Sequence, residues 1–135
     1  MSTVVRTETV KVNAEQDVVL VRQAVRRMTQ ELRFSLVDQT KMVTAASELA
    51  RNLLIYGGGG EVALEVLEEP PRKGIRAEFV DQGPGIADIE QALKDGFTSG
   101  SGLGLGLGGA RRLVNDFQID SAPGAGTRVT ITRWK

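Results

Sequence analysis

Apolar positions along the chain fall into two rhythms. Residues 3–12, TVVRTETVKV, are rich in Val and Thr and read as a strand. Over residues 15–33, Val18, Val21, Val25, Met28 and Leu32 recur at steps of three and four, which places them on one stripe of a helix. A second helix is expected from about Asp38, acting as N-cap, through DQTKMVTAASELARNLLIY, with Met42, Ala46, Leu49 and Leu53 inward. Four glycines, Gly57 to Gly60, end it. GEVALEVLEE and KGIRAEFVD then alternate, with Val62, Leu64 and Val66 answering Ile75, Ala77 and Phe79. They read as paired strands joined at PPRKG, where Pro70 and Pro71 cannot continue a ladder. A short helix over residues 87–94, a glycine-rich segment and a last helix over residues 109–117 follow. FQIDSA and TRVTITRW, separated by the PGAG turn, close the pattern as two more strands. The fold class expected is α+β: a two-layer α/β sandwich, one domain over residues 1–135, with a mixed, largely antiparallel sheet and helices on one face.

Composition narrows the chemistry more than the fold. Lys and Arg number 17, as do Asp and Glu, so no net charge grips nucleic acid or anionic lipid. No apolar run approaches the roughly 18 residues of a membrane span, and MSTVVRTETV lacks the layout of a secretion signal, so a cytoplasmic protein is expected. There is no Cys and no His. Thiol nucleophiles, zinc–thiolate sites, imidazole bases and phosphohistidine are therefore excluded, and any reaction runs on carboxylates, amides, hydroxyls and main-chain groups.

Three stretches carry candidate chemistry. Glu48 and Asn52 stand four residues apart on the second helix and share a face with Lys41 and Ala45, beside the apolar stripe. Such a face is either a solvated polar strip or a base presented with a ligand for a hard cation that sits on phosphates. Asp81 opens DQGPGI at the end of an apolar strand. Asp, Gly and Pro are ordinary turn residues; alternatively, the Asp81 carboxylate accepts from an exocyclic amine while Gly83 and Gly85 let a ring slide along bare backbone. Finally, seven of the 14 residues from Gly96 to Gly109 are glycine, interleaved with Leu103, Leu105 and Leu107. A flexible linker has no use for regularly spaced leucines. A cover whose leucines dock while its amides approach phosphates fits the pattern better. Gly104, Gly106 and Gly109 match the G-x-G-x-x-G spacing, but no strand precedes them, and no Lys-Ser or Lys-Thr pair follows as a phosphate-binding Walker loop requires.

Taken in order, the E-x-x-x-N helix, the D-x-G-x-G turn and the glycine-rich cover resemble the ATP-binding (Bergerat, or GHKL) fold shared by gyrase, the Hsp90 chaperone, histidine kinases and the mismatch-repair protein MutL. SELARNLLIYGGGG, DQGPGI, DGFTSGSGLGLGLGGARRL and GAGT together resemble the small serine/threonine protein kinases of bacterial partner-switching, stressosome-type systems. The resemblance implies that Glu48 is the general base and that Asn52 coordinates Mg2+ bridging the phosphates of ATP. It implies that Asp81, supported by Thr127, meets the adenine amine within a box that includes Gly83, Gly85 and Ile86. Gly102, Leu103, Gly104, Leu105, Gly106 and Leu107 would form the lid. The implied substrate is a Ser or Thr of a STAS-domain antagonist protein, with a PPM-type phosphatase as a downstream partner. An anti-sigma factor that sequesters a sigma subunit, using kinase activity for release, is the alternative. Ser47 stands where histidine kinases usually carry His before the Glu, which disfavours two-component signalling.

Overall fold

The computed structural model describes residues 2–93 and 106–135. Its elements are β1 (Thr3–Val12), α1 (Glu15–Glu31), α2 (Leu36–Ile55), β2 (Gly60–Glu69), β3 (Arg72–Asp81), α3 (Ile89–Ala92), α4 (Gly106–Arg112), β4 (Asp116–Ser121) and β5 (Thr127–Trp134). The five strands form one sheet in the order β1-β2-β3-β5-β4. Every neighbouring pair is antiparallel, so the expected two-layer sandwich is borne out, and among the described residues the sheet is antiparallel throughout where a mixed one was expected. Among the described residues no helix is long and apolar enough to cross a membrane.

Alternation sends one side of each strand to the helices. Val62, Leu64 and Val66 from β2, Ile75, Ala77 and Phe79 from β3, and Val129 and Ile131 from β5 meet Val18, Val21, Val25 and Met28 of α1 and Met42, Ala46, Leu49 and Leu53 of α2. Removing each Val, Leu, Ile, Phe or Met side chain among them from water stabilises the fold by about 1.5–3 kcal/mol, and it is this layer that fixes α2 against the sheet. The opposite side of the sheet stays polar, with the Arg76 guanidinium donating to Glu65 at 2.7 Å. A concavity of about 700 Å³ there includes Glu65, Arg76, Glu78 and Trp134 and none of the candidate site residues.

Four expectations shift. The second helix begins at Leu36, because the Ser35 hydroxyl accepts from the Asp38 amide at 3.1 Å. Ser35 is thus the cap, and Asp38 is drawn instead to the Arg133 guanidinium. Ala45, expected on the polar face, is fully buried in the core. The last helix runs Gly106–Arg112, earlier than expected at both ends. Phe117 belongs to β4, opposite Ile131. Pairing to β5 overrides the local helical pattern: the Asn115 amide donates to the Thr132 carbonyl at 2.9 Å, and Arg133 Nη1 donates to the Leu113 carbonyl at 2.8 Å, satisfying a group the helix end leaves open. The short helix is trimmed to Ile89–Ala92.

Candidate active site

α2 ends where the sheet turns. The Tyr56 amide still bonds to the Asn52 carbonyl at 2.8 Å, then the Gly59 amide reaches back to the Leu53 carbonyl at 3.0 Å and closes the helix. Gly57 comes to rest against the Asp81 carboxylate, so close that a Cβ on Gly57 would lie inside its van der Waals envelope. The contact joins two segments 24 positions apart in sequence numbering, 81 minus 57. It brings the helix carrying Glu48 and Asn52 to the strand end carrying Asp81.

Asp81 is fixed from both sides. In register it faces Gly60 of β2 and Thr127 of β5. Its Oδ1 accepts from the Gly83 amide at 2.8 Å, a tight Asx turn. Behind it, Gly126 at φ +74° presses its bare Cα on the Asp81 carbonyl, and Gly85 at φ +78° does the same on the Ala122 carbonyl. Neither position has room for a side chain, and both use a backbone conformation that other residues adopt only with strain.

One hydroxyl organises this turn. Ser121 Oγ accepts from the Ile86 amide at 2.8 Å, lies 3.0 Å from the Gly126 carbonyl and 2.7 Å from Thr127 Oγ1. A serine has one proton. Given to Gly126, it leaves Ser121 as the acceptor from Thr127, so the Thr127 hydroxyl is oriented by a residue the sequence motifs did not single out. The Gly124 amide adds a bond to the Pro84 carbonyl at 2.7 Å, tying the DQGPGI and GAGT turns together.

On α2, the Glu48 side chain is 15% exposed and meets Arg51 Nη1 at 3.4 Å. The preceding residue, Ser47, is buried and accepts from Arg22 Nε of α1 at 3.2 Å, which ties the two helices beside Glu48. Among the described residues the Asn52 side-chain amide makes no hydrogen bond, and neither does Asp81 Oδ2. No group of three or more His, Cys, Asp or Glu among the described residues could hold a metal ion. A cation here would draw on an amide oxygen and on ligands brought by a substrate.

Asp81, Gly83, Gly85, Ile86 and Thr127 are thus gathered at one end of the sheet, and α2, which carries Glu48 and Asn52, runs up to them and ends against Asp81 at Gly57. Gly106 and Leu107 open α4, with Leu107 packed against the core and the buried Gly109 and Ala110 farther along. Gly102, Leu103, Gly104 and Leu105 lie outside the described residues. Sequence reasoning missed Gly57 and Gly126 as close approaches, Ser121 as the hub of the turn, and Arg51 as the partner of Glu48. For Arg51 the signal was present, since positions three apart on a helix are neighbours.

Comparison with known proteins gives this arrangement its context. A profile of the histidine kinase-, DNA gyrase B- and HSP90-like ATPases matches residues 37–135. The serine/threonine-protein kinase RsbT of Bacillus subtilis (strain 168) is 42% identical over 125 residues, 93% of this chain and 94% of that one. An anti-sigma F factor of Thermoanaerobacter sp. (strain X514) is 30% identical over 95 residues, 67% of this chain and 66% of its own length. Among solved structures, the RsbU and RsbW domains of Rv1364c from Mycobacterium tuberculosis superpose with a TM-score of 0.67 at 21% identity, covering 95% of this chain and 32% of that one. That likeness extends the agreement in fold from α2 onward to β1 and α1. With the match running from α2 through β5 and the near full-length identity alongside it, the chain belongs to the histidine kinase-, gyrase B- and HSP90-like ATPase family, as a serine/threonine-protein kinase similar to RsbT.

Proposed function

We propose that this kinase transfers the γ-phosphoryl group of Mg-ATP to a Ser or Thr of a STAS-domain antagonist protein in a cytoplasmic partner-switching pathway. The observation that carries the reading is the seating of Gly57 on the Asp81 carboxylate, which brings the Glu48–Asn52 face and the Asp81–Thr127 pair to one end of the sheet. In this reading Asp81 Oδ2, without a protein donor among the described residues, accepts from the adenine amine. Thr127, oriented by Ser121, supports the same edge of the base. Gly83, Gly85 and Ile86 form the wall on which the ring lies.

Asn52 holds Mg2+ through its amide oxygen, and its unpartnered side chain fits that task. The cation, when bound, neutralises charge on the phosphates of the nucleotide. Glu48 orients the acceptor hydroxyl and takes its proton while the new oxygen–phosphorus bond forms and the bond to the β–γ bridging oxygen breaks, leaving ADP. Gly106 and Leu107, together with Gly102, Leu103, Gly104 and Leu105, cover the phosphates. The released kinase then engages a PPM-type phosphatase.

A second reading rests on the 30% identity to an anti-sigma F factor: the chain sequesters a sigma subunit, and phosphorylation of an antagonist releases it. One experiment separates them. The purified chain is incubated with labelled ATP, Mg2+ and a STAS-domain protein encoded beside it, the modified residue is located, and a sigma factor and a PPM-type phosphatase are offered separately as binding partners. Labelled Ser or Thr with phosphatase binding supports the first reading. Sigma binding without phosphatase binding supports the second, and no transfer at all defeats both.

A further inference from the structure

Phosphoryl transfer places negative charge on the three oxygens of the moving group, and protein kinases and related enzymes commonly meet it with a cationic side chain. In this chain the glycine-rich segment supplies none: from residue 95 to residue 110 there is no Lys or Arg. α2 carries two cations, Lys41 and Arg51. Lys41 stands seven positions before Glu48, 48 minus 41, about two helical turns away and exposed. Arg51 is different. Its Nη1 lies 3.4 Å from Glu48 Oε1, and its side chain is 38% exposed, so the guanidinium can change partners without disturbing the core.

We propose that Arg51 is a catalytic residue that leaves its resting ion pair with Glu48 to contact the transferring γ-phosphoryl group. The inference rests on the kinase reading above, with Glu48 as base. The geometry follows from that base. A hydroxyl oxygen bonded to Glu48 lies about 2.6–3.2 Å from its carboxylate, and an attacking oxygen lies about 3–3.5 Å from the phosphorus it approaches. With the hydroxyl on the side of the carboxylate that Arg51 occupies, the guanidinium needs to move only about the length of one hydrogen bond to reach the phosphoryl oxygens. The exchange does two things together. It delivers a fork of N–H donors to the equatorial oxygens, and it frees Glu48 to receive the proton of the acceptor hydroxyl. Arg51 itself neither gains nor loses a proton: the hydroxyl proton goes to Glu48, and the electron pair of the breaking bond stays with ADP.

The alternative is that Arg51 only holds Glu48 in place. The two roles separate in a Glu48→Gln background, where there is no carboxylate to hold. Arg51→Ala and Arg51→Lys are made in the wild-type chain and in Glu48→Gln, and thermal melts check folding. Affinities for MgADP and for MgADP with aluminium fluoride, a mimic of the moving phosphoryl group, are measured by calorimetry, and transfer to the STAS-domain protein by single turnover. Arg51→Ala is expected to keep MgADP affinity within about threefold. It should lose at least about tenfold of the preference for the aluminium fluoride complex and slow transfer by about a hundredfold or more. Arg51→Lys, which keeps charge without the fork, should recover part of both, and serves alone if Arg51→Ala does not fold. In Glu48→Gln, Arg51→Ala should slow the residual transfer further. An unchanged preference for aluminium fluoride, or a transfer defect that disappears in Glu48→Gln, overturns the proposal. A wild-type chain that labels no acceptor instead defeats the kinase reading itself.

Discussion

The two ends of the sheet are built from the same strands by opposite means. At the Pro70–Pro71 end, long side chains meet across solvent: Arg72 Nη2 reaches Glu69 at 3.1 Å and its guanidinium lies 3.9 Å from the centre of the Trp134 ring, while the Ser2 hydroxyl donates to Glu69 at 2.7 Å. At the Asp81 end, main chain lies on main chain at Gly60, Gly83, Gly85 and Gly126, and Gly57 lies on the Asp81 carboxylate, all at distances no Cβ could share. Exposed ion pairs contribute little, because water and salt screen them and two long chains lose rotamer freedom. Close backbone contact tolerates no substitution. The candidate residues around Asp81 sit among these close approaches, and the Pro70–Pro71 end, where Gly74 also lies tight against Trp134 and the Arg133 carbonyl, carries none of them.

The contrast can be tested in order of expected effect. Glu48→Ala should lower transfer to the protein acceptor by about 10²–10⁴-fold while ATP affinity holds; a variant that phosphorylates at near wild-type rate removes Glu48 as the base. Gly85→Ala forces a Cβ onto the Ala122 carbonyl at φ +78°, and a loss of about 2–4 kcal/mol in urea unfolding is expected. Asp81→Asn offers a donor where an acceptor is needed and should cost about 2–3 kcal/mol of ATP binding in calorimetry. Asn52→Ala should lower nucleotide affinity in Mg2+ but leave affinity in EDTA unchanged.

Asp38 lies between the extremes. The Arg133 guanidinium, helped by Ser35, holds its carboxyl below the ordinary value of 3.8. A depressed carboxyl contributes stability that is present above that value and lost as pH falls through the folded-state one. Asp38→Asn should therefore lower the melting temperature at pH 7, with the gap to wild type closing below pH 3.8. Partial exposure keeps the effect to about 1 kcal/mol. Arg72→Ala, at the Pro70–Pro71 end, should shift melting by no more than about 3 °C. A larger shift there than for Gly85→Ala would reverse the comparison.

Much of this architecture is legible from the residues. Val18, Val21, Val25 and Met28 announce α1, and the alternation in β2, β3 and β5 shows which side of each strand meets the helices, because burial imposes those periods directly. The start of α2 is less legible: Ser35 and Asp38 are both good caps, and a tertiary partner, Arg133, decides which one caps. The helix after the glycines is misplaced for a related reason, since pairing with Ile131 claims Phe117. In the site, motif spacing points to Glu48, Asn52 and Asp81 but is silent on which glycine of GGGG touches Asp81. It is also silent on Ser121, an ordinary serine in a strand until folding sets it between Ile86, Gly126 and Thr127.

The strand order has a consequence for how such a chain is born. Asp81 takes its second neighbour from β5, the last of these five strands in sequence order, inserted between β3 and β4. While translation proceeds at about 5–20 residues per second, the nascent polypeptide already carries the helix with its acid and amide, yet the wall beside Asp81 is missing until Thr127 arrives. In the proposed reading the wall for adenine is therefore completed only once β5 has been made, and a polypeptide interrupted before β5 carries Asp81 with only one neighbour.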